Sequence, residues 1–376
     1  MIRARKTIER LQLYRPPEEG RVAMLRLDFN ENTAGCPPGV ARALQRAMTP
    51  DWFTVYPEYQ KARRTLARYF RVSPEELLIT NGVDDAIKLI CDTFVDPGDL
   101  LVTLSPTFAI YRFFHEVAGG KVRYARYDDR LQIPVSSLLA AANEDKKARW
   151  VAIANPNNPT GTLIAKRDLK ILLEAAPGTL VLVDEAYFDF SGVTILPWIR
   201  RYPNLVVSRT FSKAFGLASL RIGFMFTNKR LAGLMRRSHA AYAVNGVAVR
   251  AAVEAIRNED HVGRYARMVV ENRAAFCRQL DALAIPYVPS AANFVLLRAG
   301  RRAGEIARRL RAKKILVREW SLDRYLKDYL RITVGTGPQM KRLVENLEPL
   351  RPLFAAPDGR KAWCKLAASS PTEWIS

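Results

Sequence analysis

The chain has 376 residues, 49% of them hydrophobic and 26% charged, and its formal net charge is +22. This apolar fraction is ordinary for a globular protein and excludes a wholly disordered chain. Its apolar runs are much shorter than the roughly 20 residues that a membrane-spanning helix needs, and its scattered cysteines predict neither a disulfide framework nor a structural zinc site. We therefore expect a cytoplasmic protein. The charge leaves nucleic acid, an acidic membrane surface and an anionic small molecule open as partners.

Short runs rich in Val, Ile, Leu and Thr alternate with helical patterns through the first two thirds of the chain. Helices are predicted at residues 84–94, 108–117 and 168–175. This alternation predicts a mainly parallel sheet covered by helices. The predicted strands are residues 77–80, 100–104, 121–125, 150–154, 180–183, 205–208 and 222–226.

The pattern changes after about residue 240. Basic amphipathic helices at 264–283 and 305–313 alternate there with strands at 293–297 and 330–334, which is typical of a smaller α+β domain. We predict four parts along the chain. They are an N-terminal segment over residues 1–40 that packs with the small domain, a large domain over 41–240, the small domain over 241–354, and a tail of unassigned role over 355–376.

Four polar motifs stand at the ends or the start of predicted strands in the large domain. Ligands of open α/β sheets bind outside the carboxyl ends of the strands, so we expect these motifs to meet at one crevice. The motifs are Asn155-Pro-Asn-Asn-Pro-Thr-Gly161, Asp184-Glu-Ala-Tyr187, Ser208-Arg-Thr-Phe-Ser-Lys-Ala-Phe-Gly216 and Arg221-Ile-Gly223.

In this order and spacing, the four motifs resemble those of the class I/II pyridoxal-phosphate aminotransferases of fold type I. The run Arg26-Leu-Asp-Phe-Asn-Glu-Asn32 and residues 208–223 make the chain most similar, within that class, to the histidinol-phosphate aminotransferases. The resemblance implies an aspartate-aminotransferase-like α/β fold with a mainly parallel central sheet in a large domain and a smaller α+β domain. It also implies pyridoxal 5'-phosphate as cofactor and a homodimer with shared active sites.

The resemblance gives the motif residues roles that suit their chemistry. Lys213 would hold the cofactor as an imine and then move the proton of the reaction, as a primary amine can. Asp184 would keep the pyridine nitrogen of the cofactor protonated. Asn155 and Tyr187 would hydrogen-bond the ring oxygen, and Phe108 would stack on the ring.

The phosphate of the cofactor is expected where a glycine turn opens the helix predicted at 84–94, because a helix N-terminus offers free backbone N–H groups to an anion. By resemblance, Tyr56 would reach this phosphate in the neighbouring subunit. The remaining residues assigned to the phosphate are Gly82, Val83, Asp84, Thr210, Ser212 and Arg221.

The resemblance also implies the substrates. Arg331 would bind the substrate carboxylate, and Arg318 and Tyr14 would add anion-binding groups beside it, with Asn155 also in contact with the substrate. The paired N–H groups of an arginine can donate hydrogen bonds to the oxygens of either a phosphate or a carboxylate. The expected reaction interconverts histidinol phosphate plus 2-oxoglutarate and imidazole-acetol phosphate plus glutamate, a step of histidine biosynthesis.

Three other functions compete with this one. A threonine-phosphate decarboxylase, or an aromatic or broad-specificity aminotransferase, would share the lysine, aspartate and arginine residues. A pyridoxal-phosphate-binding regulator would need a separate DNA-binding domain, and the resemblance begins near residue 10, which leaves no room for one. We therefore expect no specific nucleic acid, no membrane and no metal, and we interpret most of the positive charge as solvated surface.

Overall fold

The computed structural model describes residues 2–11, 20–129, 131–143, 148–320, 323 and 325–354. The strands are β1 (Leu25–Leu27), β2 (Leu77–Thr80), β3 (Leu100–Ser105), β4 (Lys121–Arg126), β5 (Ala148–Ala154), β6 (Leu180–Asp184), β7 (Leu205–Thr210), β8 (Gly223–Thr227), β9 (Tyr287–Val288), β10 (Phe294–Arg298), β11 (Ile315–Glu319) and β12 (Tyr329–Thr333). The helices are α1 (Lys6–Glu9), α2 (Pro38–Ala47), α3 (Tyr59–Phe70), α4 (Gly82–Phe94), α5 (Ile110–Val117), α6 (Val135–Asn143), α7 (Lys166–Ala175), α8 (Phe188–Ser191), α9 (Lys229–Ser238), α10 (Gly246–Ile256), α11 (Glu259–Ala282), α12 (Ala303–Ala312) and α13 (Gly337–Leu347).

The large sheet has the strand order β2-β8-β7-β6-β5-β3-β4. β8 runs antiparallel to both of its neighbours, and the other paired strands are parallel. The prediction of a mainly parallel sheet is therefore confirmed. Parallel sheets are covered on both faces, which is why their strands read as continuous apolar runs.

The two faces of this sheet belong to different hydrophobic clusters. Along β6, Val181 and Val183 pack into one cluster while Leu180 and Leu182 pack into the other, as the period of two in a strand requires. The second cluster is closed by α4, α5 and α9. The first cluster continues into the small sheet, so the two sheets share a core.

The carboxyl ends of the central strands lie in register. Ala154 of β5 is the partner of Asp184 of β6, which is in turn the partner of Ser208 of β7. The polar motifs that follow these strands are therefore brought to one edge of the sheet, as expected from the sequence.

The small sheet has the order β1-β11-β12-β10-β9. β1 runs parallel to β11, while the remaining pairs are antiparallel. The N-terminal residues Leu25–Leu27 thus belong to the same sheet as the C-terminal strands, although the sequence analysis predicted no strand there. The predicted domain boundaries stay predictions. α10 lies beyond the predicted boundary at residue 240, yet it packs on α2 and α3, which precede that boundary. Among the described residues, no helix is long and apolar enough to cross a membrane.

Candidate active site

A cavity of about 700 Å³ opens at the carboxyl edge of the large sheet and is lined by residues of both sheets. Most of the site residues expected from the sequence meet there. Those that line the cavity are Val83, Asp84, Phe108, Asp184, Tyr187, Thr210, Ser212, Lys213, Arg221, Arg318 and Arg331.

Lys213 lies in the loop between β7 and β8, with its amine directed to the N-terminal segment. Its Nζ donates to the carbonyl oxygen of Phe29 at 3.0 Å. Burial, together with the nearby charges of Arg331 and Arg221, lowers the pKa of the Lys213 amine to about 8. The loop closes tightly because Gly216 adopts a φ of +69°, where a Cβ would meet the Gly35 carbonyl oxygen at 2.9 Å. An amine of this kind is partly neutral near neutral pH, as a nucleophile must be.

Asp184 is the buried acid of the cavity, at the carboxyl end of β6. Its Oδ2 accepts a hydrogen bond from the Tyr111 hydroxyl at 2.8 Å, and its Oδ1 accepts one from the Ser208 hydroxyl at 2.9 Å. Burial raises the pKa of Asp184 to about 6, although both hydrogen bonds favour the charged form. Phe108 lies edge-on to Tyr111, with ring centroids 5.6 Å apart.

The sequence analysis missed Tyr111 and Ser208. Two signals could have found them: Tyr111 stands three residues after Phe108 in the helix predicted at 108–117, and Ser208 opens the third motif at the end of a predicted strand.

Tyr187 is tied to the N-terminal segment through Asn30. The side-chain amide of Asn30 donates to the Tyr187 hydroxyl at 2.9 Å. Asn30 adopts a φ of 57° and is held by Thr333, whose hydroxyl accepts from the Asn30 backbone N–H at 3.0 Å. Burial raises the pKa of Tyr187. Asn30 also lines the cavity. It stands in the run of residues 26–32 that carries the family resemblance, but the sequence analysis assigned it no role.

One end of the cavity has two features that suit a tetrahedral anion, namely a helix N-terminus and an arginine. α4 begins there at Gly82, whose φ is +77°, and a Cβ at this position would meet Nη2 of Arg221 at 2.8 Å. Arg221 also donates to Asp84 Oδ2 at 3.3 Å. The Asp84 carboxylate pairs with this arginine and would not itself bind an anion. Asp84 can therefore contribute its backbone N–H, which lies in the first turn of α4. Thr210 and Ser212, whose hydroxyl groups can donate to an anion, also line the cavity.

The small sheet contributes Arg331 and Arg318 to the cavity lining, and the two are direct partners across β12 and β11. Arg331 is buried; its Nη2 donates to the carbonyl oxygen of Asp28 at 2.6 Å, and its Nη1 donates to Oδ1 of Asn158. Asn158 also lines the cavity. These bonds fix the plane of the Arg331 fork, which is the group expected to receive the substrate.

Three of the expected residues do not line this cavity. The amide of Asn155 closes its own loop, accepting from the Ile164 N–H at 2.8 Å, and Asn158 of the same motif lines the cavity instead. Gly82 begins α4 beside the cavity but is not itself a lining residue, unlike Val83 and Asp84, which follow it. Tyr56 is 73% exposed, and its ring stacks on Tyr242 at 4.6 Å. Tyr14, like the predicted tail 355–376, lies outside the described residues.

The sequence family described as aminotransferase class I and II matches residues 22–347. The chain belongs to this family. This aminotransferase is 36% identical to the histidinol-phosphate aminotransferase of Symbiobacterium thermophilum, over 88% of its own length and 91% of that protein. The predicted family is therefore confirmed, and the protein is a pyridoxal-phosphate-dependent enzyme.

Solved structures agree with this membership. The histidinol-phosphate aminotransferase of Sinorhizobium meliloti, determined in complex with pyridoxal-5'-phosphate, has a TM-score of 0.84 at 25% identity, covering 94% of this chain and 98% of that one. A mutant of Thermus thermophilus aspartate aminotransferase has a TM-score of 0.75 at 23% identity, covering 89% and 99%. The aspartate-aminotransferase-like fold expected for this aminotransferase is thus confirmed.

The cavity of this aminotransferase fits pyridoxal phosphate by the chemistry of its donors. It combines an amine of lowered pKa (Lys213), a buried carboxylate (Asp184) and a helix N-terminus beside an arginine (Arg221). When bound, the cofactor supplies a pyridine ring that withdraws electrons from the substrate carbon.

Proposed function

We propose that this aminotransferase interconverts histidinol phosphate plus 2-oxoglutarate and imidazole-acetol phosphate plus glutamate, in histidine biosynthesis. The observation that carries the proposal is the pair of arginines, Arg318 and Arg331, side by side on one wall of the cavity. Two forks suit a phosphate, which offers three oxygens, and one fork suffices for a carboxylate. The identity to curated histidinol-phosphate aminotransferases supports the same substrate.

Lys213 would hold the cofactor covalently through its amine, and as a free amine it would serve as the base that moves the proton of the reaction. Its hydrogen bond to the Phe29 carbonyl gives the free amine a defined position. Asp184, oriented by Tyr111 and Ser208, would stabilise a protonated ring nitrogen of the cofactor. The geometry of the cavity and the resemblance support these proposed roles.

Around the ring, Tyr187 and Asn158 are the proposed hydrogen-bonding groups for the ring oxygen, and Phe108 packs against the ring. Asn158 takes the place expected of Asn155 because it lines the cavity and its amide already orients Arg331. The phosphate of the cofactor is assigned to the backbone at the start of α4 and to the side chains of Thr210, Ser212 and Arg221.

We propose that the enzyme works as a homodimer in the cytoplasm. The surface near Tyr56 is unusually apolar: Phe53 is 61% exposed, Val55 68%, Tyr56 73% and Tyr242 57%. Large aromatic side chains clustered on a surface are typical of an interface. A second copy covering this patch would place Tyr56 against its partner, as the resemblance implies.

The test is a substrate panel with the holoenzyme. Histidinol phosphate, phenylalanine and threonine phosphate are each supplied with 2-oxoglutarate, and glutamate and carbon dioxide are measured. We expect glutamate from histidinol phosphate at a kcat/KM at least 100-fold above that for phenylalanine. Faster reaction with phenylalanine, or carbon dioxide release from threonine phosphate, would replace this function with one of the two alternatives. The Lys213→Ala variant is the control and should not turn over.

A further inference from the structure

Guanidinium groups and aromatic rings alternate around the two arginines assigned to the substrate, Arg318 and Arg331. The Arg318 guanidinium carbon lies 5.3 Å from the ring centroid of Phe29 and 5.7 Å from that of Trp320. The Arg331 guanidinium carbon lies 5.6 Å from the same Trp320 centroid and 5.3 Å from that of Phe294. Arg21 covers Phe29 at 4.7 Å. We call this set the arginine–aromatic stack; its members are Arg21, Phe29, Arg318, Trp320, Arg331 and Phe294.

The stack places two like charges in direct register. Arg318 and Arg331 are cross-strand partners, and like charges directly opposite one another destabilise a sheet. A ring between two cations offsets this cost, since the negative face of an indole attracts a guanidinium. Trp320 is placed to do so for both arginines, and it also lines the cavity.

The two arginines are positioned in different ways. Arg331 has anchors besides Trp320, namely the Asp28 carbonyl and the Asn158 amide. Arg318 lies between two rings, Phe29 and Trp320. Loss of Trp320 therefore removes a contact that matters more to the position of Arg318 than to that of Arg331.

We propose that Trp320 is a positioning residue that holds Arg318 beside Arg331, so that the two forks act as one clamp, and that it thereby sets the preference for a phosphate over a carboxylate. The inference rests on the proposed function. A phosphate takes hydrogen bonds from both forks, whereas a carboxylate is satisfied by the Arg331 fork alone. Trp320 therefore contributes to binding of the phosphorylated amine and little to binding of glutamate.

The first test compares the Trp320→Phe and Trp320→Ala holoenzymes with wild type in the two half-reactions. In Trp320→Ala we expect the half-saturating concentration of histidinol phosphate to rise about tenfold, the size of one lost charge-assisted contact, and that of glutamate to change less than about twofold. Trp320→Phe, which keeps an aromatic face, should lie between. The matched control is Trp198→Phe: Trp198 is half-buried beside Tyr202 and does not line the cavity.

The second test reads the stack without catalysis. Inorganic phosphate is titrated into the holoenzyme by isothermal titration calorimetry, a readout that does not depend on the tryptophan removed in the variant. We expect equal phosphate affinity in wild type and in Trp198→Phe and a weaker affinity in Trp320→Phe, because Trp320 alone of the two contacts the arginines.

The outcomes separate the two proposals. Wild type that fails to react with histidinol phosphate would overturn the proposed function, while the phosphate titration still decides the role of Trp320. The role of Trp320 would be overturned if Trp320→Phe raised the half-saturating concentrations of both substrates equally. It would also be overturned if this variant bound inorganic phosphate as tightly as wild type does. Should Trp320→Ala fail to fold, Trp320→Phe decides by both measurements.

Discussion

The amine of Lys213 donates a 3.0 Å hydrogen bond to the carbonyl oxygen of Phe29. These two residues come from opposite parts of the chain: Lys213 follows a strand of the large sheet, and Phe29 follows β1 of the small sheet. The contact joins the proposed cofactor anchor to the wall that carries the substrate arginines, because the ring of Phe29 packs on Arg318. The chemistry therefore depends on the N-terminal segment as well as on the four motifs.

The lowered pKa of Lys213 predicts how cofactor-free enzyme takes up pyridoxal phosphate. The neutral amine is the nucleophile, and its pKa is about 8, against about 10.4 for an ordinary lysine. The rate of covalent loading should rise with pH and reach its midpoint near 8, measured by absorbance after rapid mixing. Because Arg331 helps to lower this pKa, Arg331→Gln should move the midpoint upward. A midpoint near 10 in wild type would contradict the account.

The hydrogen bond from the Tyr111 hydroxyl is expected to lower the pKa of Asp184. Hydrogen bonds to a charged group contribute about 1.5–3 kcal/mol, so Tyr111→Phe should lower kcat roughly tenfold or more. Loss of a bond that favours the carboxylate raises its pKa, so the acid limb of the kcat–pH profile should move to higher pH. Tyr202→Phe is the matched control, since its hydroxyl donates to Glu174 away from the cavity. An unshifted acid limb in Tyr111→Phe would count against this role.

The ionised carboxylate of Asp184 is expected to lower the free energy of unfolding of the cofactor-free enzyme. Its pKa of about 6 in the folded chain exceeds the ordinary value of about 3.9, so the folded state resists its ionisation. This cost is complete above about pH 6 and vanishes below about pH 4. Cofactor-free Asp184→Asn should therefore melt at a higher temperature than wild type at pH 7.5, with a difference that shrinks as the pH falls. In the holoenzymes the order should reverse, and an unchanged order would contradict the pairing of Asp184 with the cofactor.

Arg331 is expected to serve both substrates. Arg331→Lys cannot keep the Asp28 and Asn158 bonds and still offer a fork, so kcat/KM should fall at least 100-fold for histidinol phosphate and for glutamate. Steady-state kinetics in both directions measure this effect. The control is Arg309→Lys, because the Arg309 side chain lies on the exposed face of α12 and pairs with Glu305. A loss confined to one substrate would show that the other binds elsewhere.

The sequence predicted the large sheet well because its strands are buried on both faces and read as continuous apolar runs. β1 was missed, since three residues that include Arg26 carry no such signal. The lysine, aspartate and arginine residues could be found because they stand in fixed motifs. Asn158 could not be separated from Asn155, because turn chemistry alone allows either amide to face the cavity. Trp320 and Asn30 act through long-range contacts, and local periodicity does not record these.

The apolar patch around Tyr56 predicts a dimer that a single charge disrupts. Val55→Asp would bury an unpaired carboxylate in the interface, so the variant should sediment as a monomer and lose most activity. Ile171→Asp, at an exposed apolar position on α7, is the control and should stay dimeric and active. A monomeric wild type, or a dimeric Val55→Asp, would show that this patch is not the interface.

The most direct test of the account is a single half-reaction, in which holoenzyme without any 2-oxo acid is mixed with histidinol phosphate and its visible absorbance is followed. We predict that the visible band of the holoenzyme disappears and returns when 2-oxoglutarate is added, with no full cycle in Lys213→Ala. An unchanged band with histidinol phosphate, together with a response to phenylalanine, would contradict the proposed substrate. A complete cycle in Lys213→Ala would contradict the mechanism.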